Sequence, residues 1–230
     1  MNRIGTLGEK SLHADLKEWY FEDGDEKEVL VDGYHIDLVR GEELIEIQTA
    51  NFSAMKRKLG ELLVEHRVRL VYPIARRRWI RRVDTAGKQI SRRKSPKRGK
   101  QIDLFDQLVS IAALAGNPNL TIEILFIEDE ILWMDDGKGS WRRKGWSLAD
   151  RWLIDVFELV RMEWPESYLT YIPHSLESGF TNSDLSKAAK MKVGQARKIT
   201  YCLNKMGLIH CIGSRDRYKL YSRAAASQER

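Results

Sequence analysis

The sequence predicts a mixed α/β domain over residues 1-140, a sheet with flanking helices, followed by a smaller and mostly helical domain over 141-230. Three observations carry this. Strand-like runs alternate with helical periods in the order α-β-β-α-β-α-β, the pattern of a layered α/β protein rather than a bundle. Residues 180–223 read as helix, very short turn, helix and hairpin. Charge is also segregated: residues 76–100 hold twelve Lys/Arg against one acid, Asp84, and residues 181–230 hold eleven against three. Residues 1–62 hold eight basic and fourteen acidic residues. Two basic regions beside an acidic one suggest two tasks, holding a polyanion and holding a cation.

Composition narrows the class. A hydrophobic content of 43% is enough to build a core, and no apolar run approaches the length of a membrane span. The opening MNRIGTLGEKSLHADLKEW lacks the apolar core of a secretory leader. Two cysteines, Cys202 and Cys211, allow neither a disulfide framework nor a cysteine zinc site. Both read as core thiols, and the expected location is a reducing cytoplasm.

The elements follow in order. Residues 8–20 predict a helix with Leu12, Leu16 and Trp19 at helical spacing, and Glu9 on the same stripe. FEDGDEKE reads as a loop. VLVDGYHIDLV and ELIEIQT are strand-like runs around Arg40-Gly41-Glu42, where Gly41 suits the first position of a type II′ turn. A helix is expected from about Ser53, a good N-cap, with Met55, Leu59, Leu62 and Leu63 on one side. RVRLVYPIA is a strand leading into RRRWIRRVD, and AGKQISRRKSPKRGK, without apolar period, reads as a mobile basic loop. IDLFDQLVSIAALAG predicts an amphipathic helix closed by Gly116. LTIEILFIE is a strand with ILWM as its hairpin partner.

DDGKGSWRRKGW reads as a connector or a wing-like loop marking the domain boundary near residue 140, and SLADRWLIDVFELVRM as a helix stopping at Trp164-Pro165. FTNSDLSKAAKM predicts a helix with Thr181 and Asp184 in capping-box spacing. KVGQARKITYCLNKMG predicts another, with Val193, Ala196, Ile199, Leu203 and Met206 on one face and Gly207 at its end. LIHCIGSRDRYKLYSR is then a hairpin with a charged tip.

The first hairpin holds the sharpest chemical signal. With Gly41 and Glu42 as turn residues, every opposed pair has residue numbers summing to 83, so Asp37 faces Glu46 and His35 faces Gln48. Directly opposed side chains lie about 5 Å apart at Cβ. The reverse face receives Ile36, Leu38, Ile45 and Ile47. Two carboxylates at that range repel each other, and burial worsens the cost. A divalent cation removes it: Mg²⁺ is commonly held by one or two carboxylates, waters and phosphate oxygens. Such an ion activates water and stabilises charge growing on a phosphodiester. His13 and His35 read as structural or solvent-facing.

Asp37-x8-Glu46-x-Gln48 on a hairpin, after a helix bearing Glu9, resembles the PD-(D/E)xK restriction-endonuclease-like superfamily over roughly residues 4–130. The resemblance implies that Asp37 and Glu46 bind Mg²⁺, with Mn²⁺ as a substitute, and that Glu9 supports the site. Gln48 stands where the family usually has a catalytic lysine; it can orient a water but adds no positive charge. Lys56, bordering the apolar side of the next helix, is the candidate replacement. The implied activity is a metal-dependent DNA endonuclease. Its alternative is a catalytically inactive nuclease fold that grips DNA, and an RNA substrate is a third reading.

Arg76-Arg77-Arg78, Arg81-Arg82 and the cluster containing Arg92, Arg93, Lys97 and Arg98 would neutralise phosphates and give salt-sensitive affinity. Trp79 among them reads as anchored in the core. The C-terminal succession resembles winged helix-turn-helix families over roughly residues 150–223. That resemblance implies that the second helix enters the major groove of double-stranded DNA while the wing meets phosphate. Lys192, Gln195, Lys198 and Tyr201 are expected on that helix's solvent side, and Arg215 and Arg217 on the wing; Gln can read adenine, and Lys guanine or phosphate. Cutting two strands with one site each suits a homodimer.

Overall fold

The computed structural model describes residues 11–176 and 179–224. Helix α1 (Ser11–Tyr20) precedes β1 (Glu26–Val31), β2 (Tyr34–Arg40) and β3 (Glu43–Ile47). Helix α2 (Lys56–Leu62) leads to β4 (Arg67–Val83) and β5 (Gln89–Lys94), and short α3 (Phe105–Leu108) leads to β6 (Leu120–Asp135) and β7 (Trp146–Met162). The strands form one seven-stranded sheet in the order β1-β2-β3-β4-β6-β7, with β5 paired to β4. The chain divides into two compact units. Of the described residues, the first holds 11–49, 69–101 and 123–160; the second holds 50–68, 102–122, 161–176 and 179–224.

In the first unit, Leu12, Leu16 and Tyr20 of α1 pack on Leu38, Ile45, Ile47, Val71, Leu125 and Ile127. Steps of four residues keep this stripe on one side of the helix. Trp19, expected in that stripe, is 47% exposed, and Tyr20 takes its place.

The hairpin at Gly41 has the expected form. Gly41 has φ 60 while Glu42 is not among the residues with positive φ, as a type II′ turn requires. Leu38 pairs with Ile45, Val39 with Leu44 and Arg40 with Glu43, the register derived above. Ile36, Leu38, Ile45 and Ile47 are all buried. VLVDGYHIDLV, however, is two strands rather than one. Asp32 (φ 49) and Gly33 (φ 81) turn the chain between β1 and β2. Positive φ at both central residues marks a type I′ turn, for which Asp-Gly is among the strongest signals. The acidic run read as a loop supplies the start of β1.

Three further expectations fail for one reason: strand pairing overrides local pattern. The supposed mobile basic loop contains β5, laddered to β4 through Trp79↔Lys94, Ile80↔Arg93 and Arg81↔Arg92. ILWM continues β6 rather than returning beside it. SLADRWLIDVFELVRM, with its helix-favouring Leu, Ala, Asp and Glu, is β7. The connection at 136–145 therefore joins neighbouring strands of one sheet, and the boundary expected near residue 140 falls inside that sheet.

In the second unit, a 3-10 turn (Phe52–Met55) precedes α2 and follows Asn51 in a left-handed conformation, so Ser53 lies within the turn and is not its N-cap. Met55, Leu59, Leu62 and Leu63 are buried as expected. The helix predicted over 102–116 is reduced to a 3-10 turn and α3, followed by turns, although its apolar face, Leu104, Phe105, Leu108, Ile111, Ala112 and Ala115, is buried. Short α4 (Glu166–Leu169) is followed by α5 (Asn182–Ala188), α6 (Val193–Lys205), β8 (Ile209–Arg215) and β9 (Tyr218–Arg223).

Thr181 and Asp184 form the expected capping box at α5, and Gly207 (φ 79) follows α6. Phe180, Leu185, Ala196, Ile199, Cys202, Leu203 and Tyr221 are buried there, whereas Val193 is 39% exposed. Cys202 is a core thiol, its pKa pushed up to about 12 by burial. Cys211 is exposed, against expectation: it lies in a hairpin whose residues from His210 to Lys219 are all exposed.

Candidate functional site

Asp37 lies one residue beyond the last laddered pair of β2 and β3, and Glu46 is its counterpart in the same register. Asp37 Oδ2 accepts the N–H of Ile47 at 2.8 Å and meets His13 Nε2 at 3.1 Å. Lys17 Nζ stands 3.8 Å from Oδ1. Burial pushes the Asp37 carboxyl up, but the His13 hydrogen bond and charge, the Ile47 N–H and Lys17 together outweigh it and hold the group below its ordinary value. Glu46 is buried, at 5% exposure.

His13, read from sequence as structural or solvent-facing, thus touches the carboxylate. Lys17, absent from the sequence reading, is the lysine placed beside Asp37, with a side chain only 8% exposed; it also bonds Glu28. Their four-residue spacing, one helical turn on the flank of the apolar stripe, was the available signal. The N–H of Gln48 donates to the carbonyl of Val71 at 2.9 Å, tying the end of β3 to β4. Lys56, the candidate replacement lysine, is exposed on α2. Glu9 lies outside the described residues. Among the described residues, no group of three or more His, Cys, Asp or Glu is placed to hold a metal ion. Asp37 and Glu46 are two carboxylates on neighbouring strands, the kind of hard-oxygen donor that could hold Mg²⁺ together with waters and phosphate oxygens.

The basic block meets an acidic strand. Glu128, Asp129 and Glu130 of β6 are buried. Arg78 grips Asp129 through two bonds of 2.7 and 2.6 Å, and Arg151 donates to the same carboxylate at 2.6 Å. Arg77 pairs with Glu128 at 2.7 Å, and Arg81 and Arg92 each reach Glu130 at 3.2 Å. Trp79 is part-buried and not anchored in the core as expected; it donates its indole N–H to Glu128 at 2.6 Å. Arg92 also lies 4.1 Å from the Trp79 ring centre, so it has partners within the sheet as well as an exposed side. Arg93, Lys97 and Arg98 remain exposed.

Most cations expected at the C-terminal interface have partners within their own unit. Gln195 Oε1 accepts the N–H of Lys192 at 3.2 Å, fastening the start of α6 at the surface. Lys198 pairs with Asp106 at 2.7 Å. Arg215 donates to the Gly179 carbonyl at 2.9 Å, and Arg217 donates to the Tyr218 hydroxyl at 3.1 Å. Lys192 is exposed and Tyr201 is 47% exposed, as expected. Arg197, which the sequence reading passed over, shares the solvent stripe with Val193, Tyr201 and Lys205 at steps of four.

Fold and site together define a mixed α/β protein with a large sheet, flanking helices and a carboxylate-bearing hairpin. No described helix is long and apolar enough to cross a membrane. The chain belongs to the family described as Domain of unknown function (DUF8091), whose model matches residues 10–163. The match ends one residue after β7, so α4 to β9 lie beyond it. A similar protein is an uncharacterized protein of Treponema pallidum (strain Nichols), 33% identical over 154 residues, which are 66% of this chain and 61% of that relative. The chain thus spans about three-fifths of the relative it matches. No solved structure matches.

Proposed function

We propose that this chain is a metal-dependent DNA endonuclease built on a PD-(D/E)xK-like core, with a winged-helix segment that positions the substrate. The observation that carries the reading is the placement of Asp37 on β2 and buried Glu46 on β3 in matched register, behind α1, with buried Lys17 at 3.8 Å from Asp37. The order α1, β1–β3, α2, β4 keeps the succession of the family's core and adds one strand. Asp37 and Glu46 would hold Mg²⁺ or Mn²⁺, which when bound supplies Lewis acidity and an activated water. Lys17 supplies from α1 the positive charge that Gln48 lacks, and its Nζ is positioned to steady a phosphate oxygen near the carboxylates. Gln48 orients water, and Glu9 supports the pair. Lys192, Arg197 and Tyr201 would meet duplex DNA, in a cytoplasmic protein acting as a homodimer.

A second reading, binding without cleavage, is favoured by one observation: His13, Lys17 and the Ile47 N–H already satisfy Asp37. Nicking of supercoiled plasmid in Mg²⁺ or Mn²⁺ separates the two. Endonuclease activity predicts nicking that falls at least a hundredfold in Asp37→Ala and Glu46→Ala and at least tenfold in Lys17→Met, while retardation of duplex DNA in a gel is unchanged. Retardation without nicking in the wild type leaves the binding reading, and neither nicking nor retardation overturns both.

A further inference from the structure

A cavity of about 470 Å³ opens in the first unit between β4, the segment after β5, and β7. Five of its lining residues are cations, Arg76, Arg77, Lys94, Arg98 and Lys100, and one is an aromatic ring, Phe157. The acids nearby are accounted for: Glu158 pairs with Arg76 at 2.5 Å and Glu128 with Arg77 at 2.7 Å. Among the described residues, Lys94 and Arg98 have no carboxylate partner. Gathering cations without matching acids is unfavourable unless an anion joins them.

The backbone holds the gathering in place. Ser95 donates its N–H to the Arg78 carbonyl and Gly99 donates to the Ala75 carbonyl, each at 2.8 Å. A Cβ on Gly99 would lie 2.4 Å from Ile74 Cγ2 and 2.7 Å from the Ala75 carbonyl oxygen, so only glycine lets the segment seat this closely on β4. Pinned at both points, the residues between do not behave as a freely moving phosphate-tracking loop. Phe157 is 38% exposed, and the Arg77 guanidinium lies 4.7 Å from its ring centre. An arginine guanidinium beside an aromatic ring makes a surface of the kind on which nucleobases stack. The volume falls within the range of small-molecule sites, roughly 300–1,000 Å³.

We propose that this cavity is a nucleotide site, in which Lys94, Arg98 and Lys100 take the phosphates and the Phe157–Arg77 surface takes the base. The inference stands on the cavity and does not depend on the carboxylate hairpin. The ligand is a nucleotide unit, either free or at the phosphorylated 5′ end of a strand.

Calorimetric titration of the full chain tests it, with ATP, with inorganic tripolyphosphate as the base-free control, and with a single-stranded oligothymidylate bearing either a 5′-phosphate or a 5′-hydroxyl. ATP is expected to bind at least tenfold more tightly than tripolyphosphate. Arg98→Glu should weaken ATP at least tenfold, and Phe157→Ala should bring ATP to the tripolyphosphate level. Both substitutions lie on exposed side chains, and a melt matching the wild type confirms folding. Displacement of ATP by the 5′-phosphorylated strand, and not by the 5′-hydroxyl one, assigns a strand end; binding of ATP that neither strand displaces assigns the free nucleotide. No binding of ATP or of either strand overturns the proposal. Equal affinity for ATP and tripolyphosphate overturns it too, as does an Arg98→Glu chain that binds as the wild type does.

Discussion

The buried carboxylates of β6 and the half-buried Asp37 of β2 share one sheet and are handled differently. On β6, Glu128, Asp129 and Glu130 each meet a guanidinium at hydrogen-bonding distance, and Asp129 and Glu130 each meet two. On β2, Asp37 meets a histidine, a backbone N–H and a lysine that stops at 3.8 Å. An arginine fork locks a carboxylate in a fixed plane, whereas an ammonium at that distance acts as a point charge and leaves the oxygen room to turn. The β6 acids are thus committed to holding the sheet together. Asp37 is neutralised without being clamped. The difference also revises the meaning of the basic block: Arg77, Arg78, Arg81 and Arg92 are matched by β6, whereas Lys94 and Arg98 beside the cavity have no carboxylate partner among the described residues.

The largest consequence falls on Asp129. Removing one member of a buried pair leaves the other charge uncompensated, which costs about 3–5 kcal/mol. Asp129→Ala strands both Arg78 and Arg151, so urea unfolding should show a loss near the lower end, about 3 kcal/mol, because Arg78 is partly exposed. A loss under about 1 kcal/mol, the worth of a surface pair, would mean that the β6 pairs are not committed structure, and the contrast would fail. Asp37→Asn should cost less, about 1–2 kcal/mol, since the amide oxygen can still accept the Ile47 N–H and only the charge facing His13 and Lys17 is lost. A cost equal to that of Asp129→Ala would make Asp37 a structural anchor of the same kind.

What could be read beforehand follows the same division. The hairpin register was legible because its turn residues fix the pairing and a period of two fixes the faces. The helix–turn–helix–hairpin order at the C-terminus was legible from Thr181, Asp184 and Gly207, whose effects are local. The long strands were not. β7 is written in helix-favouring residues and becomes a strand beside β6. The neutralisation of Arg77, Arg78, Arg81 and Arg92 depends on contacts across about forty to fifty residues of sequence, which local charge counts cannot reveal. Asp37 and Glu46 could be singled out as a pair, but their partners His13 and Lys17 come from another element, whose docking follows from tertiary packing.

The smallest expected effect is a change of slope with pH, and it bears directly on how Asp37 is held. Its folded carboxyl sits below the ordinary value of 3.8, because His13, the Ile47 N–H and Lys17 outweigh the penalty of burial. Between those two values the unfolded chain binds a proton that the folded chain does not, so falling pH favours unfolding. The contribution of Asp37 is therefore fully present above about 3.8 and is lost as pH drops through the lowered folded value. The amide introduced by Asp37→Asn does not titrate, so the stability difference between wild type and this variant should be steady just above that point, where His13 is protonated in both, and shrink below it. Asp25 and Asp184, also held low by their partners, are present in both proteins and cancel in the difference. A gap that stays constant or widens as the solution becomes more acidic would show that His13 and Lys17 do not stabilise the charged carboxylate. Asp37 would then be an acid held chiefly by its backbone bond.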